Sequence, residues 1–162
     1  MHQVFLGIGS NLGDREISIS NAIENIGISL GRVIKVAPTI STKAWGKTDS
    51  PDYLNTVVEI KTELLPLELI EKVLALEAKL GRIRTEKWAS RFIDIDILYF
   101  NNWHFNTPNL VVPHPYIAER TFVLEPLANI APYFVHPIHR KTNLELLNTL
   151  TNENKESEKG RD

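Results

Sequence analysis

Residues Phe92–Phe100, FIDIDILYF, decide the fold. Ile93, Ile95 and Ile97 alternate with Asp94 and Asp96, and a period of two sends successive side chains to opposite faces of a strand. The isoleucines are expected to face packed helices. The two aspartates then share the other face, about 7 Å apart. A strand with one apolar and one acidic face suits an antiparallel sheet covered on one side.

Upstream, the hydrophobic period switches repeatedly. Val4–Ser10 (VFLGIGS) reads as a short buried strand. Residues 15–30 carry Ile19, Ala22, Ile23, Ile26 and Leu30 at helical spacing, with Gly31 as a stop. Arg32 to Thr42 is β-branched and extended, with Pro38 marking an edge or a bulge. Lys43 to Asp52 is a loop, and Tyr53–Thr62 (YLNTVVEIKT) a strand. Pro66 to Leu80 is a helix that opens on proline and stops at Gly81. Beyond Asn101, six prolines from Pro108 to Pro137 break the chain into short pieces. The order βαββαβ gives an α+β, ferredoxin-like antiparallel sheet with helices on one face and an irregular C-terminal extension.

The chain has 162 residues, which at ~150 residues per domain is about one domain. We expect a single domain over 1–150 and a polar, flexible tail over 151–162 (TNENKESEKGRD). With 43% hydrophobic and 23% charged residues, the composition is that of a globular protein. A net charge of −2 gives no pull toward nucleic acid or an anionic membrane. Zero cysteines exclude thiolate catalysis, disulfides and iron–sulfur clusters. The N-terminus has no signal-peptide pattern and no apolar run approaches 18 residues, so the expected location is the cytoplasm.

The acidic pair Asp94 and Asp96 carries the clearest chemistry. Magnesium is held by one or two carboxylates together with substrate phosphates. Aspartate is also a poor strand former, and glutamate, lysine or threonine would solvate a strand face at lower cost. Just upstream, Arg82, Arg84, Lys87 and Arg91 surround Trp88. One arginine leaving a helix complements its dipole, but four cations leading into an acidic pair point to a polyphosphate. Tyr53 and Asn55 share a strand face, where a ring can stack and an amide can pair with a flat heterocycle. Val112-Pro113-His114-Pro115 presents one histidine on a rigid turn, and Arg120 and Phe122 follow it. Gly7, Gly9 and Gly13 lie at a strand–helix junction, but the spacing is neither G-x-G-x-x-G nor a P-loop. They read as a tight turn, with Asp14 capping the helix. An RNA-binding module is the rival from another class, and two aspartates on the open face of a sheet oppose it. Another magnesium-dependent phosphoryl or nucleotidyl transferase is the second alternative.

Taken in order and spacing, these pieces resemble the 6-hydroxymethyl-7,8-dihydropterin pyrophosphokinase family over roughly residues 3–135. The resemblance rests on Gly9-Ser10-Asn11-Leu12-Gly13, Pro51-Asp52-Tyr53-Leu54-Asn55, Gly81-Arg82-Ile83-Arg84 and Trp88. It continues through Arg91-Phe92-Ile93-Asp94-Ile95-Asp96 and Val112-Pro113-His114-Pro115, with Arg120 and Phe122 behind. It implies transfer of diphosphate from ATP to the pterin hydroxymethyl group, releasing AMP, with two Mg²⁺ ions. By similarity, Asp94 and Asp96 hold the metals, and Arg82 and Arg91 stabilise the transferring group. Arg84, Trp88, His114 and Arg120 serve ATP. Tyr53 and Phe122 sandwich the pterin, Asn55 pairs with its edge, and Thr42 and Trp45 contact the same ring. The expected partners are the small molecules ATP and hydroxymethyldihydropterin, with no nucleic acid and no membrane, and the expected state is a monomer or weak homodimer. Tyr116 stands where many members carry a basic residue.

Overall fold

The computed structural model describes residues 1–11, 13–42, 52–81 and 93–159. The chain runs β1 (His2–Ser10), α1 (Arg15–Ser29), β2 (Arg32–Val36), β3 (Ile40–Thr42), β4 (Tyr53–Thr62), α2 (Pro66–Lys79) and β5 (Asp94–Phe100). Then come β6 (Phe105–Asn106), β7 (Val111–Val112), a 3-10 turn (Ile117–Glu119), α3 (Thr121–Ile130) and α4 (Asn143–Lys159). The main sheet is ordered β2-β4-β1-β5, and β3 pairs with β4 beside β2. Every pairing is antiparallel. The expected extended run 32–42 is thus one edge of the sheet in two pieces, joined where Ala37 N–H reaches Val57 O at 2.9 Å.

Local signals account for the first helices. Asp14 Oδ1 accepts the Ile17 N–H at 3.1 Å, which caps α1 as expected. Gly13 takes the positive φ of 61° that this entry requires. Ile19, Ala22 and Ile26 of α1 and Leu69, Val73 and Leu76 of α2 are buried on one face of the sheet. They meet Val4, Leu6 and Ile8 of β1, with Ile93, Ile95 and Ile97. The three isoleucines face the helices as their alternation requires.

The opposite face is not left wholly open, and here the structure departs from helices on one face with an irregular extension. Between Phe5 and Leu6 the β1–β5 register slips by one residue, so that Phe5 pairs with Tyr99 and Leu6 with Ile97. This bulge at Leu98 puts both Leu98 and Tyr99 into the second cluster. They join Phe5, Val57 and Ala37 in an apolar patch that α3 covers with Val123, Leu124, Leu127 and Ile130. Pro126 lies inside α3, where burial of this apolar face outweighs the lost backbone bond. Asn143, fully buried at the start of α4, accepts the Tyr99 hydroxyl proton at 2.7 Å and donates to Ala131 O at 2.9 Å. Residues 151–159, expected as tail, continue α4 with every side chain exposed. Leu146, Leu147 and Leu150 pack the first half, and propagation from a packed turn is cheap. Among the described residues no helix is long and apolar enough to cross a membrane.

Candidate active site

The C-terminal cover stops short of one end of the sheet. Across that end the register aligns Asn55 of β4, Gly9 of β1 and Asp94 of β5 in one row. The next row is Val57, Gly7 and Asp96. Asp94 is half-buried and Asp96 exposed, on the face opposite the isoleucines, as their alternation predicts. Asn55 and Asp94 stand two strand spacings apart, about 10 Å, with only a glycine between them.

That glycine was missed as a functional feature. Both Gly7 and Gly9 lie inside β1, in the strand expected over Val4–Ser10 and not in the tight turn read for the three glycines. A Cβ on Gly9 would fall 2.9 Å from Asn55 Oδ1, closer than real Cβ contacts come. The Asn55 carboxamide therefore lies over Gly9, and its Nδ2 donates to Thr42 Oγ1 at 2.8 Å. Asn55 is buried, and its amide is fixed by strands on both sides. Thr42 is opposite Tyr53, so Thr42, Tyr53 and Asn55 form one cluster at the β3–β4 corner. The signal was present: Gly7 and Gly9 share the two-residue spacing of Asp94 and Asp96.

On the other side, the 112–115 turn docks on β5 through His114 N–H to Leu98 O at 2.9 Å. The Val112–Pro113 bond is cis. His114 Nδ1 accepts the Tyr116 N–H at 3.2 Å, which places the proton of the neutral ring on Nε2. Burial lowers the His114 pKa, Asp96 opposes this, and Arg120 adds to it. The neutral imidazole therefore dominates near pH 7. The Arg120 guanidinium carbon lies 4.9 Å from the Tyr116 ring centre and 5.6 Å from that of Phe122. His114, Tyr116, Arg120 and Phe122 thus make one cluster, which Asp96 joins through its field on His114. Tyr116 is a residue that sequence reasoning did not place in the site.

The structure thus brings Thr42, Tyr53 and Asn55 together at one corner and His114, Arg120 and Phe122 at another. Asp94 and Asp96 lie on the same sheet face. Trp45, Arg82, Arg84, Trp88 and Arg91 lie outside the described residues. Among the described residues no group of three or more acidic or histidine side chains could hold a metal. Two carboxylates fit Mg²⁺ nonetheless, because this ion keeps waters and takes its remaining oxygens from substrate phosphates.

The sequence model of the 7,8-dihydro-6-hydroxymethylpterin-pyrophosphokinase (HPPK) family matches residues 5–132. A relative from Methylorubrum extorquens is 43% identical over 136 residues, covering 83% of this chain and 86% of the relative. One from Aquifex aeolicus is 43% identical over 141 residues, covering 87% and 88%. Both are named 2-amino-4-hydroxy-6-hydroxymethyldihydropteridine pyrophosphokinase. The crystal structure of Plasmodium falciparum HPPK-DHPS superimposes with a TM-score of 0.77 at 17% identity. It covers 96% of this chain, which spans 45% of that longer one, and at such identity the likeness is one of fold.

Proposed function

This chain belongs to the HPPK family, and from that premise we infer that the open end of its sheet is the active site. The protein is an ATP-dependent pyrophosphokinase of folate biosynthesis. It transfers diphosphate from ATP to the hydroxymethyl group of 6-hydroxymethyl-7,8-dihydropterin and releases AMP. ATP is its co-substrate, and Mg²⁺ serves the reaction.

The observation that carries the placement is the row Asn55–Gly9–Asp94. It sets a fixed amide and a carboxylate on either side of a strip of bare backbone. A flat ring at this end of the sheet would have its edge against the Asn55 amide and its hydroxymethyl arm toward Asp94. Tyr53 and Phe122 would stack on it, with Thr42 holding the Asn55 amide from behind. Trp45 is assigned to the same ring from the family resemblance.

Asp94 and Asp96 would hold two Mg²⁺ ions. When bound, the metals neutralise phosphate charge and polarise the bond that breaks. His114 offers an Nε2–H as a neutral hydrogen-bond donor beside that charge. Arg120, backed by two aromatic rings, supplies a fixed cation for the nucleotide. Arg84 and Trp88 are assigned to ATP, and Arg82 and Arg91 to the transferring group. The pterin oxygen attacks the β-phosphorus of ATP, the bond to the α-phosphate oxygen breaks, and the hydroxyl proton is released. The protein's part is alignment and charge stabilisation rather than covalent catalysis.

The test is product analysis by ion-exchange chromatography with ATP, Mg²⁺ and the pterin. AMP formed only when the pterin is present is the expected result. ADP in its place would refute the reaction class.

A further inference from the structure

We infer that Glu77 of α2 is a positioning residue for the aspartate pair, an assignment that rests on the metal-binding role given to that pair above. Glu77 is only 5% exposed, on a helix face otherwise built from Leu69, Val73 and Leu76. An aliphatic residue would fill that place without the cost of desolvating a carboxylate. Its Oε2 accepts the backbone N–H of Ile95 at 3.0 Å, and Ile95 is the residue between Asp94 and Asp96.

The position of β5 explains why this bond matters. β5 is the terminal strand of the sheet, and α2 packs along it. On its inner side β5 pairs with β1 through Asp94 opposite Gly9 and Asp96 opposite Gly7. In antiparallel pairing the hydrogen-bonding groups of alternate residues point to opposite edges, so the Ile95 N–H turns outward. Among the described residues no further strand pairs with it there, and the Glu77 carboxylate accepts that N–H instead. That N–H belongs to the peptide unit joining Asp94 to Ile95. Holding it fixes the backbone on which both aspartate side chains hang. Asp94 is also the first residue of β5 and the last rung of the β1–β5 ladder, where a strand end frays most easily. In this scheme Glu77 is assigned no contact with substrate or metal, and its bond to Ile95 positions β5.

The experiment compares Glu77→Gln, which keeps an acceptor oxygen, with Glu77→Met, which keeps the length and removes it. Binding of a non-hydrolysable ATP analogue with Mg²⁺ is measured by calorimetry, and AMP formation is measured against Mg²⁺ concentration. Exchange of the Ile95 amide is followed by NMR. The Gln variant is expected within twofold of wild type in Mg²⁺ half-saturation. The Met variant is expected to raise it about tenfold and to expose the Ile95 amide, with an unchanged KM for the pterin and a cooperative melt. A folded Met variant with wild-type Mg²⁺ dependence overturns the inference, as does a Gln variant impaired as much as Met. Should Met fail to fold, Glu77→Asp withdraws the oxygen by one methylene, and wild-type Mg²⁺ dependence in that variant overturns it equally. Wild-type protein that makes no AMP would overturn the catalytic reading instead, while calorimetry and exchange would still decide the role of Glu77.

Discussion

Replacing Gly9 by alanine tests the pterin site at the point where the structure is most demanding. The added Cβ would stand 2.9 Å from Asn55 Oδ1, so the carboxamide must retreat by about 0.5 Å to reach ordinary contact. It has little room to do so, because Asn55 is 9% exposed and its Nδ2 is tied to Thr42 Oγ1 at 2.8 Å. Stretching that bond costs about 1 kcal/mol of fold stability, regained in part because alanine in a strand loses less chain entropy than glycine. Misaligning the amide against the ring edge loses about 2 kcal/mol of pterin binding. That is roughly thirty-fold in pterin affinity. Gly7→Ala is the internal control: its Cβ would meet the Leu98 side chain at 3.5 Å, ordinary van der Waals contact. The assay is calorimetric titration of the pterin in the presence of Mg²⁺ and a non-hydrolysable ATP analogue. Gly9→Ala should bind about thirty-fold more weakly, Gly7→Ala within about threefold of wild type, and nucleotide affinity should be unchanged in both. A Gly9→Ala protein that binds pterin within twofold of wild type would refute the reasoning that the amide is clamped over Gly9 as part of the pterin site.

Asp96→Ala should lower the rate of AMP formation by at least about a thousandfold and weaken Mg²⁺-dependent nucleotide binding, while its melting temperature stays near wild type because Asp96 is exposed. Retained Mg²⁺ dependence would exclude it as a metal ligand. His136 is buried, with its pKa lowered to about 4 by burial and by the nearby His139, and its Nδ1 accepts the N–H groups of Ile138 and His139, each at 3.1 Å. The unfolded chain therefore binds this proton first, so stability is unaffected above about pH 6.5 and falls as pH drops toward 4, by about 3 kcal/mol in all. Urea denaturation at pH 7 and pH 4.5 should show a clearly smaller loss for His136→Asn, whose amide oxygen can replace Nδ1; equal losses in the two proteins would refute the assignment.

The elements that were legible in the sequence are those whose signals are local. β4 begins and ends where its alternation does, at Tyr53 and Thr62, and α2 opens on Pro66. The pairing of Asp94 with Asp96 on one face needed only the period of a strand. The family resemblance placed the site residues, but their arrangement depends on which strands become neighbours. The alternation of FIDIDILYF is broken at Leu98 because Phe5 and Tyr99 must pack on the same side, a demand that comes from another strand. Pro126 argues locally against a helix, and only the apolar patch beneath α3 outweighs it. Glycine is the plainest case. Read along the chain, Gly7 and Gly9 are turn formers. Read across the sheet, Gly9 separates an amide 46 positions away from a carboxylate 85 positions away, and any side chain there would fill the space between them. The information is in the sequence, but it is addressed by register, and register is set by the whole core. The residues that prepare this site by having no side chain are therefore the last to be recognised without the fold.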